Sequence, residues 1–182
     1  MPFNTQEIIE QIKEKLNERA NDIGGRPDWT AIIKKVFVQL GHEHGYKVST
    51  SLAPEHRAQL ELEDGHMPVW GEWLYDLVWY TSVIDKYANR DIERTTSIPL
   101  VMECEWAASL NAVALDFDKL LVANADLRVM VCGGYKNFPA EPVIEQCNRA
   151  VQTYEQGHIG DKFLVCIVPE EGVPQCTEIV RR

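Results

Sequence analysis

Residues 98–107 read IPLVMECEWA, and this stretch decides the fold. A run of apolar residues from Ile98 to Met102 ends in two carboxylates around one cysteine, Glu103, Cys104 and Glu105. Leading into the run is Pro99, so the segment reads as a strand over 99–105 with proline at its start, where the missing N–H costs least. Side chains two apart on a strand share a face, so Glu103 and Glu105 lie on one side and Cys104 on the other. An acid on a face that should be buried needs a partner.

The surroundings read as alternating helices and strands. Asn4 to Asp22 has Ile8, Ile9, Ile12, Leu16, Ala20 and Ile23 at helical spacing, with Asn4 and Glu7 as a capping pair. GGRP at 24–27 stops it, and Asp28 is placed to cap a second helix carrying Trp29, Ile32, Ile33, Val36, Phe37 and Leu40. YKVST at 46–50 alternates like a short strand, and 51–68 reads as a polar loop. VWGEWLYDLVWY at 69–80 is rich in β-branched and aromatic residues and predicts a strand with Asp76 inside it. Residues 84–97 turn polar again.

After Glu105 the spacing predicts a helix over 107–125, a buried strand LRVMVC at 127–132, a helix over 141–156, and a buried strand KFLVCIVP at 162–169. CTEIV near the end reads as an edge strand. The first strands can form a meander, and the two later helices act as crossovers between parallel strands. The expectation is one α/β layered domain over residues 1–182, a length that supports a single sizeable core.

Composition narrows the function classes. Apolar residues make up 45% and charged residues 25%, which excludes wholesale disorder. Apolar runs are short and interrupted by charge, so no membrane span is expected, and the N-terminal MPFNTQEIIEQ has no secretory pattern. Five cysteines, at 104, 132, 147, 166 and 176, include no Cys-x-x-Cys pair and read as reduced, buried thiols of a cytoplasmic protein. The net charge of −10 argues against a surface that binds nucleic acid all over, although a metal site is itself made of acids. GHEHG at 41–45 reads as a polar helix end rather than a metal site, and CGGYKN at 132–137 as a turn.

If the strands holding Asp76 and Glu103 pair, the two acids stand side by side. Clustered buried acids repel, and a hard divalent cation resolves the conflict. Mg²⁺ is commonly held by one or two carboxylates and keeps several waters, and the Cys104 carbonyl is a further candidate ligand. Read alone, Glu105 is either a solvated strand end or a cap of the next helix. Asp76 requires a metal, an Arg or a Lys.

An Asp in one strand, then an apolar strand ending in Glu-x-Glu, then a helix containing DFDKLLVANADLRVMV (116–131), resembles the PD-(D/E)XK nuclease superfamily, the restriction-endonuclease-like fold. The resemblance covers roughly 28–132, leaving the helix at 4–22 and the helix–strand unit at 141–182 as additions. It implies a three-layer core with a central mixed β-sheet flanked by helices, and Mg²⁺- or Mn²⁺-dependent hydrolysis of DNA. By the same resemblance Asp76 and Glu103 are metal ligands and catalytic acids. Glu105 stands where the family usually has Lys, as in a minority of its restriction enzymes, and would serve as a further ligand or general base. Lys119 is the alternative source of the missing cation, unless it simply pairs with Asp116 or Glu105 on the helix surface. Candidate DNA contacts are Lys34, Lys35, Lys47, Arg90 and Arg128. The missing Lys and the acidic charge keep open an inactive module of the same fold, a homodimer, or a subunit of a larger complex.

Overall fold

A computed structural model of the chain describes residues 3–19, 26–52, 69–71, 73–88, 90–135, 139–170 and 172–182. The expected loop at 53–68, with Glu63, and the acid Glu72 lie outside these residues. Helices are α1 (Thr5–Arg19), α2 (Arg26–Glu43), α3 (Leu110–Leu121) and α4 (Ala140–Thr153). Strands are β1 (Lys47–Thr50), β2 (Val69–Trp70), β3 (Leu77–Tyr87), β4 (Arg90–Glu105), β5 (Leu127–Gly134), β6 (Lys162–Pro169) and β7 (Gln175–Val180). They form one sheet in the order β2-β1-β3-β4-β5-β6-β7.

The sheet is mixed. β1 runs antiparallel to β3 and β3 to β4, the expected meander, while β4, β5 and β6 are mutually parallel. The parallel part follows from the chain: β4 reaches β5 through α3, and β5 reaches β6 through α4. β7 returns antiparallel along β6. Strands with a helical layer on each side must be apolar on both faces, and β5 and β6 are buried at almost every position. Leu100, Met102, Val129 and Leu164 enter a core with α1 and α2. Val101, Met130, Cys132 and Val165 enter a second core with α3 and α4. Glu103 follows Val101 on this second face.

The N-terminal cap is as the spacing predicts: Asn4 Oδ1 accepts the Glu7 N–H at 3.4 Å. Helix α2 begins earlier than expected. It starts at Arg26, so Asp28 lies in its first turn and Pro27 near its start, where proline is tolerated. Its far end packs very closely. A Cβ at Gly41 would stand 2.6 Å from Val48 Cγ2 and 2.8 Å from Trp79 Nε1. Gly41→Ala should therefore destabilise the protein by about 1–3 kcal/mol through overpacking. That outweighs the gain in helix propensity of about 1 kcal/mol. A thermal melt of the variant that matches or exceeds the parent would contradict this.

Two expectations about the strands are corrected. The strand at 69–80 is broken: β2 ends at Trp70, the chain bends, and β3 begins at Leu77, so Asp76 stands just before a strand rather than within one. Hydroxyls from β1 hold the bend. Ser49 Oγ donates to the Gly71 carbonyl at 2.8 Å, and Thr50 Oγ1 donates to the Asp76 carbonyl at 2.8 Å. The polar stretch 84–97, left without an element by its sequence, lies largely within the sheet. β3 and β4 continue past the helical layers as a two-stranded arm paired out to Tyr87 and Arg90. Asp85 and Arg94 face each other across it at 2.7 Å, and Lys47 meets Glu93 at 2.6 Å.

The cysteine reading is corrected as well. Cys166 and Cys176 are directly opposite on β6 and β7 and form a disulfide, leaving Cys104, Cys132 and Cys147 as free thiols. Antiparallel register brings the two together, which no local pattern reveals. The argument for a reducing compartment loses its basis with this pair. Among the described residues, no helix is long and apolar enough to cross a membrane.

Candidate functional site

The acids meet at one end of the sheet, where β3 begins and β4 ends. Leu77 is paired with Met102, so Asp76 stands next to Glu103 in the continuing register. Asp76 Oδ2 accepts the Cys104 N–H at 2.9 Å, which ties the bend to the end of β4. Cys104 thus meets Asp76 through its N–H.

Each acid has its own lysine, and the two lysines come from opposite helical layers. Lys34 reaches from α2: its Nζ lies 2.9 Å from Asp76 Oδ1, 3.1 Å from the Ser51 carbonyl and 3.4 Å from Ser51 Oγ. Lys119 reaches back from α3, with Nζ 3.2 Å from Glu103 Oε2 and 2.7 Å from Asp116 Oδ1. Lys119 thus pairs with Asp116 on its own helix and also reaches the acid cluster at Glu103. Of the two expected surface partners, Asp116 and Glu105, Lys119 takes Asp116. Glu105 turns away, its Oε1 accepting the Ala107 N–H at 2.6 Å in the strand-to-helix connection.

Burial sets the electrostatics. Glu103 is only 2% exposed, whereas Asp76 keeps 24% and Lys119 46% of its side chain exposed. Loss of water pushes the Glu103 carboxyl up to about 7, and the neighbouring charge on Asp76 pushes the same way, against the pull of Lys119. Asp116, first, and then Glu103 hold the Lys119 ammonium well above its ordinary value, so it stays charged. Tyr75 is raised mainly by burial and then by the Glu103 charge, against the opposing charge of Arg128.

Glu103 Oε1 is buried and has no hydrogen-bond partner among the described residues. A buried, unsatisfied carboxylate oxygen is costly, so it marks a position where a cation or donor fits. The donor set is all hard oxygen, as Mg²⁺ prefers. Against a larger shell, no group of three or more His, Cys, Asp or Glu side chains arranged to hold a metal occurs among the described residues. The residues therefore fit an ion taken by one or two carboxylates, with Glu103 Oε1 the available ligand and Asp76 already engaged.

The expected DNA-contacting cations are scattered. Lys34 is 4% exposed and committed to Asp76. Lys47 pairs with Glu93. Arg128 is buried, donating from Nε and Nη2 to the Ala123 carbonyl and lying over the Phe163 ring. Arg90 sits at the exposed tip of the arm. Sequence reasoning named Lys34 only as a candidate DNA contact or solvated helix cation, and Asp116 only as a surface partner of Lys119, and so missed both as members of the cluster. For Asp116 the signal was available, since it lies three residues before Lys119 on the same helix. No protein-family model, curated protein or solved structure matches the chain.

Proposed function

We propose that the chain is a divalent-metal-dependent hydrolase of DNA phosphodiester bonds, built on the PD-(D/E)XK plan with its lysine relocated to the helix after the motif. Apart from the two-residue β2, which comes between β1 and β3, the order α2, β1, β3, β4, α3, β5 supports this reading. Asp76 directly precedes β3, and Glu103 lies two residues before the end of β4. The observation that carries the reading is the buried, unpartnered Oε1 of Glu103 beside the Asp76 charge.

Glu103 Oε1 and Asp76 would hold the ion, with the Cys104 carbonyl as a further ligand. When bound, Mg²⁺ or Mn²⁺ would supply Lewis-acid activation of a phosphate oxygen and of the attacking water. Lys119 stays protonated because Asp116 holds it so, which suits it to donate hydrogen bonds to an anionic phosphate and unsuits it to accept a proton. Lys119 also fixes Glu103 Oε2, so the free oxygen of that carboxylate has a set direction. Glu105 spends one oxygen on the Ala107 N–H, so its first role is to shape the connection into α3.

One observation favours the second reading, a catalytically silent interaction module or a subunit of a larger complex. Both Asp76 oxygens already have partners, Lys34 and the Cys104 N–H. Plasmid incubated with the protein and Mg²⁺ or Mn²⁺ separates the two. Cleavage by the parent and its loss in Asp76→Ala is the expected result. Equal cleavage by both proteins, or none by either, favours the silent module.

A further inference from the structure

Lys34 is a charged side chain in a place that rarely accepts one. It is 4% exposed, and lysines are seldom buried this completely unless fully paired. All three of its protons have acceptors: Asp76 Oδ1, the Ser51 carbonyl and Ser51 Oγ. Two of these are neutral, so among the described residues the formal charge balancing the ammonium directly is that of Asp76. The same carboxylate is the one the proposed metal site needs.

From this geometry we propose that Lys34 is the resident cation of Asp76, occupying in the metal-free protein the charge position that the divalent ion takes, so that metal binding requires Lys34 to withdraw. The inference rests on the reading of Asp76 and Glu103 as metal ligands. An ammonium 2.9 Å from Asp76 Oδ1 and a divalent ion on the same carboxylate repel strongly in a partly dry site. Glu103 faces no such competition at Oε1, because Lys119 is engaged with the other oxygen. The two acids are therefore unequal: Glu103 offers a ready oxygen, and Asp76 yields one only when the contact from α2 loosens. Since Ser51 follows β1 directly, withdrawal of Lys34 also releases the link between α2 and the end of β1.

Mn²⁺ titration by calorimetry on the metal-free protein, on Lys34→Met and on Lys34→Met/Glu103→Gln tests this. The expected result is Mn²⁺ binding about tenfold tighter or more in Lys34→Met, within the usual range of coupling between two binding events. That gain should vanish when Glu103→Gln is added. The wild-type protein gives an independent readout if Lys34→Met folds poorly. Acetylation of Lys34 by an N-hydroxysuccinimide ester, followed by mass spectrometry, should be slow without metal and rise severalfold with saturating Mn²⁺. Equal Mn²⁺ affinity in parent and Lys34→Met, weakened by Glu103→Gln, overturns the competition but leaves the metal site standing. So does Lys34 that stays protected while Mn²⁺ is bound. Absence of Mn²⁺ binding in all folded variants overturns both the competition and the metal reading.

Discussion

Glu103→Gln is expected to stabilise the metal-free protein at pH 8 and to lower metal-dependent cleavage by about a thousandfold. The two effects have one cause. In the folded chain the carboxyl ionises near 7, because burial and Asp76 both oppose its charge, whereas in the unfolded chain it ionises near 4.5. The native state thus binds more protons than the unfolded state between those values, and stability falls as pH rises through that window. Below about pH 4.5 the penalty is absent, and above about pH 7 it is complete. Water reaches the rim of the site, where Lys119 is about half exposed, so the penalty is about 1–2 kcal/mol rather than the full equivalent of the shift. Glutamine keeps the shape and removes the charge. Urea melts of both proteins in chelator at pH 5 and pH 8 should converge at the lower pH and separate at the higher. The loss of cleavage corresponds to about 4 kcal/mol of transition-state stabilisation, the scale on which a metal ion acts. A variant less stable than the parent at pH 8, or one that cleaves as well, would remove Glu103 from the centre of the site.

Trp79→Ala should be the most damaging single change to the fold, costing about 3–5 kcal/mol. Trp79, on β3, is fully buried beneath α2, stacks on Tyr46 with ring centres 5.8 Å apart, and donates its indole N–H to the Phe37 carbonyl at 2.9 Å. Its ring lies against Gly41, which has no side chain, so truncation leaves a cavity there. Domains have only about 5–15 kcal/mol in total, so roughly a fifth of the stability or more should go. Trp79→Phe separates the contributions: it keeps most of the apolar volume and loses the hydrogen bond, and should cost about 1–2 kcal/mol. Circular dichroism in urea is the suitable measurement, because tryptophan fluorescence changes with the substitution itself. A loss below about 1 kcal/mol in Trp79→Ala would mean that the α2 layer repacks freely on the sheet.

The reading of residues 98–107 succeeds where the physics is local. Mostly apolar runs at 127–132, broken by Arg128, and at 163–169 are strands covered on both faces, and helices between them force parallel pairing. Alternation alone puts Glu103 with Val101 on a buried face. Reading fails where distant residues decide. The bend before Asp76 is tied down by Ser49 and Thr50, and nothing within 69–80 distinguishes it from a continuous strand. The arm over 84–97 looks like a loop because its side chains are polar, yet backbone pairing makes it sheet where no helix covers it. Lys34 lies among the apolar positions of α2 and reads as a surface cation, since its acceptors Ser51 and Asp76 are far along the chain. Cys166 and Cys176 read as separate apolar fillers until β7 folds back on β6.

The two ammonium groups at the acid cluster ride on different slabs of the molecule, Lys34 on the pair α1–α2 and Lys119 on the pair α3–α4. Their separation is thus a gauge of how both slabs are seated on the sheet. A substitution deep in either core that tilts a slab by a fraction of an ångström reaches the acids as a change in charge spacing, without touching them. The cluster reports on the seating of the whole molecule.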